Sequence, residues 1–160
     1  MVKRFARIAI IAAVYVALTV LLAPISFYAF QVRIAEALTV LPFLFPEAIW
    51  GLFIGCFISN FFGGLGLVDV TVGSLLTLLA AVLTHLTAKT GKPYLAPLPP
   101  LFINAFGVSA YLVVLLEPPS LPFHLPPYLL FVISIFIGEA IATYGLGLPL
   151  LYFLKRKEWN

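Results

Sequence analysis

Long apolar stretches, broken at only a few places by ionisable or amide side chains, constrain this chain more than any other feature. The interruptions are Arg33, Glu36, Asn60, Asp69, Asn104 and Glu139. Hydrocarbon tolerates such groups only where they line a cavity or find a partner. The pattern therefore describes an all-α integral membrane protein that recognises something polar. With 63% hydrophobic and 9% charged residues, the chain is far from a soluble domain, in which about a quarter of residues are charged.

Five or six spans of ~20 residues nearly fill 160 residues. Residues 1–160 thus read as a single transmembrane domain with no room for an ATPase, kinase or nucleic-acid module. The net charge of +3 is confined to short basic clusters at segment ends, where membrane topology accounts for it. Cys56 is the lone cysteine, so no intramolecular disulfide can form. Lys3, Arg4 and Arg7 before the first apolar run mimic a signal peptide. A run of about 19 residues and no clear cleavage site before Pro24 point instead to a retained helix.

Helices are expected at about 5–23, 34–45, 47–62, 69–88, 99–116 and 127–154, the second short and broken by Pro42. Residues 34–62 could also form one long kinked helix, giving five crossings. Charge placement favours six. Lys3, Arg4 and Arg7, Lys89 and Lys92, and Lys155, Arg156 and Lys157 then share one face, which the positive-inside rule makes cytoplasmic. Both termini are cytoplasmic in this arrangement, and Arg33 is the one basic residue outside it. Arg33 is thereby a candidate for ligand or ion-pair contact, or for an interfacial anchor.

Ala9, Ala13 and Ala17 recur every four residues on the first helix, and Gly51, Gly55 and Ser59 on the third. Small-xxx-small faces let another backbone approach closely. Intramolecular packing is expected for the glycine face; spacing alone leaves the alanine face open between an internal contact and a separate subunit. The chain lacks a GxxxxGK[ST] loop, so any nucleotide-driven work belongs to a partner.

Under the six-helix direction, Arg33, Glu36, Asn60 and Asp69 converge on one external rim. Asp69, Gly73, Thr77 and Ala81 put small and polar groups on one helical face, leaving space for a ligand. Glu139 is about 12 residues into the last helix, near mid-membrane at 1.5 Å per residue, where an unpaired carboxylate costs about 2.5–3.5 kcal/mol. Asn104, Gly107 and Tyr111 share a face; Tyr111 offers a flat surface for a planar ring and Gly107 keeps room beside it. Structural alternatives exist for each. Arg33 and Glu36 can bind each other, Asp69 can cap the fourth helix, and Asn104 can bond a neighbouring helix. Glu47 and Glu117 are expected to be solvated. His85, His124 and Cys56 make no ligand cluster, so no metal and no catalytic residue is expected. A segment at about 24–33 with Phe27, Tyr28 and Phe30 is a candidate gate.

The run VRIAEALTVLPFLFPEAIWGLFIGCFISNFFGGLGLVDVTVGSLLTLLAA, residues 32–81, resembles the QueT family of queuosine-precursor transporters, and the length and helix pattern fit it throughout. The resemblance implies the six-helix fold of a substrate-binding S component of energy-coupling-factor (ECF) transporters. It implies capture of a 7-deazaguanine precursor outside the cell, coupling to a transmembrane T component and two ATPases, and inward release as the S component topples. ATP is then a cofactor of the partners and not of this chain. An alanine-rich face on the first helix meets the T component in this class, a role Ala9, Ala13 and Ala17 fit. Glu139 or Glu36 would accept from the guanine-like edge and Asn60 or Asn104 would read the remaining atoms; an aminomethyl group on the cargo could pair with Asp69 or Glu36. Rival readings are an S component for biotin, thiamine or riboflavin, and an ion-coupled secondary transporter using Glu139 and Asp69.

Overall fold

The computed structural model describes residues 1–26, 32–120, 122 and 124–158, and all regular structure among them is helical. Six stretches form the body: α1 (Val2–Leu21), α2 (Ile34–Phe43), α3 (Ala48–Asn60), α4 (Gly66–Thr90), α5 (Pro93–Leu115) and α6 (Pro127–Lys157). By length and apolarity, α1, α4, α5 and α6 are able to cross a membrane; α2 and α3 are shorter. Large apolar side chains such as Ile10, Trp50, Phe57, Leu75, Phe102 and Ile137 stand exposed on the exterior, as expected where the surrounding solvent is hydrocarbon. The aromatic segment at Phe27, Tyr28 and Phe30 lies outside the described residues.

Contacts set the direction of each leg. Gly51 lies against Ile8 and Ile11, and Gly55 against Ala12 and Tyr15, so α3 runs parallel to α1. Arg7 and Glu47 form an ion pair at 2.8 Å at the start of both helices, and the chain must therefore come back along α2. It does so as a 3-10 helix of 10 residues, which at ~2.0 Å per residue covers about 20 Å, where α-helical winding would cover about 15 Å. Pro42 sits inside this leg. Its carbonyl accepts from Nδ1 of His85 at 3.0 Å, and a carbonyl can only accept, so Nδ1 carries the proton. That bond ties the end of α2 to the far end of α4. Thr84 then donates to the Ala96 carbonyl at 3.2 Å, joining α4 to the start of α5. The three basic clusters consequently gather at one end of the bundle.

Glu47, expected to be solvated, is instead paired with Arg7, whose guanidinium also stands 4.7 Å over the Phe45 ring. A hydrogen bond from its own backbone amide, helped by Arg7, holds the Glu47 carboxyl below the ordinary carboxylate value. The glycine face of α3 packs inside the protein, as its spacing suggested. A Cβ on Gly55 would stand 2.8 Å from Tyr15 Cβ and 3.1 Å from the Ala12 carbonyl oxygen. The opposite side of α1, with Ala9, Ala13 and Ala17, is exposed, so that stripe makes no internal contact of the kind the glycines make.

The three longest helices each contain π-helical winding: Asp69–Gly73 in α4, Asn104–Val108 in α5 and Ile141–Gly147 in α6. Wider turns of this kind shift the helical phase and recur at functional sites. Here they carry or border Asp69, Gly73, Asn104 and Glu139.

Gly55→Leu should force α1 and α3 apart, lowering stability by about 1–3 kcal/mol as overpacking does. A thermal melt of the purified protein in detergent measures it, and an unchanged midpoint would mean that the close approach is not needed.

Candidate functional site

Arg33, Glu36, Gly73, Thr77, Asn104, Val108, Tyr111, Ile135 and Glu139 surround a hollow of about 20 Å³. That is room for about one water molecule. The space expected along α4 is thus closed, and any ring-sized ligand requires the walls to separate. Gly73 and Thr77 do face it, while Ala81 belongs to the apolar core with Tyr15, Leu52 and Cys56.

One wall of the hollow is a chain of hydrogen bonds. Asn104 Nδ2 donates to Glu139 Oε1 at 2.9 Å and to Glu36 Oε2 at 3.3 Å. Glu36 Oε1 accepts the hydroxyl of Tyr15. One amide therefore links α5 to α2 and α6, and one phenol links α1 to α2. Reversing the Asn104 amide would aim its oxygen at two carboxylates, so the network fixes its orientation. All these side chains are buried: Glu36 is 2% exposed, Asn104 3% and Glu139 5%.

A second group stands behind Gly73. Tyr111 donates to Asp69 Oδ1 at 2.7 Å, and Asn60 Nδ2 donates to the Asp69 carbonyl at 2.9 Å. A Cβ on Gly73 would lie 3.0 Å from both Asn60 Nδ2 and the Tyr111 hydroxyl and 3.2 Å from Asp69 Oδ1. A larger residue at Gly73 would press on that group. Between the groups sits Cys56, whose sulfur accepts from Thr77 at 3.3 Å, Asn60 at 3.5 Å and Arg33 at 3.8 Å.

Of the seven residues singled out from sequence, Arg33, Glu36, Asn104, Tyr111 and Glu139 line the hollow itself. Asn60 and Asp69 form the adjoining pair. Two expectations are corrected. Asp69 does not cap α4, because the helix already begins at Gly66 and places Asp69 in its first turns. Gly107 does not keep room beside Tyr111; a Cβ there would stand 2.8 Å from the Leu76 methyls, so it serves contact between α5 and α4. Tyr15 and Cys56 were not proposed for the site. A phenol on the side of α1 away from the alanine stripe was the available signal for Tyr15. Among the described residues no three His, Cys, Asp or Glu side chains converge as metal ligands.

The unmet valences are one-sided. Asn60 Oδ1, Asp69 Oδ2, Asn104 Oδ1 and Glu139 Oε2 are buried without a protein hydrogen-bond partner. The two amide oxygens can only accept, and the two carboxyl oxygens accept when ionised. A buried acceptor left unsatisfied costs about 1–3 kcal/mol, so the cluster is built to meet donors.

An apolar exterior around a buried, acceptor-rich polar chamber defines a multi-pass membrane protein suited to holding a small polar molecule. Residues 5–156 match the family model described as QueT transporter. The chain belongs to the QueT transporter family, which makes it a membrane transporter protein. No curated protein and no solved structure matches it.

Asn104→Leu should leave Glu36 and Glu139 without their common donor and cost about 3 kcal/mol, since hydrogen bonds to charged groups are each worth about 1.5–3 kcal/mol. Denaturation of the purified variant should show this loss; wild-type stability would mean that the bridge contributes nothing.

Proposed function

We propose that this chain is the substrate-binding S component of an ATP-driven ECF importer, and that it captures a 7-deazaguanine queuosine precursor from outside the cell. In this reading the six legs are six crossings, both termini are cytoplasmic, and release follows toppling with the T component. The observation that carries the reading is the pair of unpartnered oxygens at the hollow, Glu139 Oε2 and Asn104 Oδ1. A guanine-like edge presents adjacent N–H donors, which suit Glu139 Oε2 and Asn104 Oδ1. Arg33 supplies a donor for the ring carbonyl, and Tyr111 a flat face for the bicycle. Membership of the QueT family supports the same class of cargo.

The hollow's small volume fits a closed arrangement that opens for loading. The exposed Ala9, Ala13 and Ala17 face supports docking of the T component, since small side chains let a second helix approach. The T component and two ATPase subunits supply the ATP hydrolysis that this chain cannot perform.

Two measurements test the proposal. A site that reads buried N–H groups rejects analogues lacking them, because its own acceptors are then stranded. Removing the exocyclic amine from the deazaguanine should weaken binding to purified protein by about 100-fold or more; equal affinity would refute edge reading. Ala13→Trp should block assembly with the T component and abolish uptake while ligand binding to the isolated protein persists. Uptake that survives the substitution, or that survives ATP depletion and collapses with an uncoupler, would favour the ion-coupled alternative.

A further inference from the structure

Two acids in the wall of the hollow draw on one amide. Asn104 Nδ2 donates to Glu139 Oε1 at 2.9 Å and to Glu36 Oε2 at 3.3 Å, so both carboxyl groups reach a single nitrogen while buried in the bundle. Their surroundings differ. Glu36 has a donor on each oxygen, Asn104 on one and the Tyr15 hydroxyl on the other. Glu139 has a donor on Oε1, and its Oε2 is buried without a protein partner. An ionised carboxylate is satisfied only by donors, whereas a protonated one carries an O–H and asks for an acceptor. Asn104 Oδ1, which can only accept, is unpartnered at the same hollow. This inventory suits Glu36 as the anion and Glu139 as the neutral acid. The hollow, at about 20 Å³, has room for about one water, which can accept from that acid and donate to the amide oxygen.

The charges agree. Among the described residues lining the hollow, Arg33 is cationic and Glu36 and Glu139 are the acids. With a proton on Glu139 the lining is neutral; without it the lining carries excess negative charge inside an apolar bundle, which is costly. The other titratable groups near Glu139 do not remove that excess. Tyr111 of α5 faces the hollow and gives its hydroxyl to Asp69 of α4, a further acid. Tyr15 of α1 and Cys56 of α3 are not in the lining, and α6 adds no titratable group to it besides Glu139.

From this arrangement we infer that Glu36 and Glu139 form a proton site: one proton rides on Glu139 Oε2 while the hollow is without cargo, and a cargo with an N–H edge displaces it. The inference rests on the deazaguanine reading above and couples that reading to a proton. An N–H aimed at Oε2 meets another donor as long as the acid is neutral. The O–H bond of Glu139 therefore breaks as the cargo seats, its electron pair stays on Oε2 to accept the cargo N–H, and the proton leaves to solvent water. Charge-assisted bonds from the N–H edge then steady the second carboxylate in place of the lost proton. Affinity rises with pH for as long as the cargo-free protein holds the proton. Tyr15 is the positioning residue, since its hydroxyl favours the ionised form of Glu36 and leaves the proton to Glu139.

The test uses the full chain in detergent. Infrared spectra of the cargo-free protein at neutral pH should contain the carbonyl band of a protonated carboxylic acid, and Glu139→Gln should remove it. Calorimetry of 7-cyano-7-deazaguanine, whose substituent carries no charge, in buffers of different ionisation enthalpy should show about one proton released per cargo bound, with affinity rising by up to about tenfold per pH unit. Tyr15→Phe keeps the ring and removes a donor from Glu36, so the proton passes to Glu36. The acid band should then persist while proton release and the pH slope are lost; a merely structural hydroxyl would weaken binding equally at every pH. If Tyr15→Phe does not fold, the wild-type measurements and Glu139→Gln carry the test. A missing acid band, or one that survives Glu139→Gln, overturns the proton site. So does cargo binding without proton release, or a pH slope unchanged in Tyr15→Phe. If neither this compound nor 7-aminomethyl-7-deazaguanine binds wild type, the deazaguanine reading fails and the exchange with it, whereas the acid band still decides whether the proton is there.

Discussion

Asn104 Nδ2 carries two hydrogens, and both are committed, one to Glu36 and one to Glu139. Without that amide two carboxylates would face each other in the middle of an apolar bundle, where neither water nor lipid can satisfy them. The rest of the interior follows from this need. α2 has to bring Glu36 inward and α6 has to present Glu139 opposite it. α5 must place Asn104 between them, and a π-turn beginning at Asn104 adjusts the helical phase at that point. Tyr15 supplies a further donor to Glu36, which brings α1 into the same network. Four of the six helices thus meet through one connected set of polar atoms.

The glycines make that meeting geometrically possible. Gly51 and Gly55 let α3 lie directly on α1, and Gly147 does the same for α6 on α2, where a Cβ would stand 2.7 Å from the Ala37 carbonyl oxygen. In lipid there is little hydrophobic gain from bringing helices together, so close backbone contact and hydrogen bonding have to supply the attraction. Small residues at the seams and buried amides and acids between them are two aspects of one solution. Gly73 applies it to the site itself, holding Tyr111, Asn60 and Asp69 in one cluster.

Much of this was legible in the chain before any coordinates. The six helical stretches, their order and the role of the Gly51/Gly55 face follow from apolar run length and from spacing. Arg33, Glu36, Asn104 and Glu139 stood out because charge and amide inside apolar runs demand partners. What could not be read were features that depend on winding and on neighbours. A strictly α-helical reading does not foresee the 3-10 leg at Ile34–Phe43 or three π-turns, because both conserve composition while rotating side chains. The alternative in which Asp69 caps α4 fails for a related reason: α4 begins earlier, at Gly66, where Gly64 and Gly66 adopt positive φ of 70° and 82°. Glu47 looked solvated because its partner, Arg7, lies 40 residues away in sequence. Tyr15 is marked in the sequence only by its place opposite the alanine stripe, and a single phenol in an aliphatic helix adds no periodic signal to that.

α1 joins the buried polar network to an exposed face of small side chains. Ala13 and Tyr15 are two residues apart, which at 3.6 residues per turn places them on nearly opposite faces. One face is fully buried and donates to Glu36; the other is exposed and small. Both faces belong to one helix of 20 residues, which Gly51 and Gly55 let α3 approach closely. Parting α2, α5 and α6 around the hollow means lengthening at least one bond in the set that Tyr15, Glu36, Asn104 and Glu139 share. α1, which bears the exposed alanine stripe, is held in that set by the single hydrogen bond from Tyr15 to Glu36.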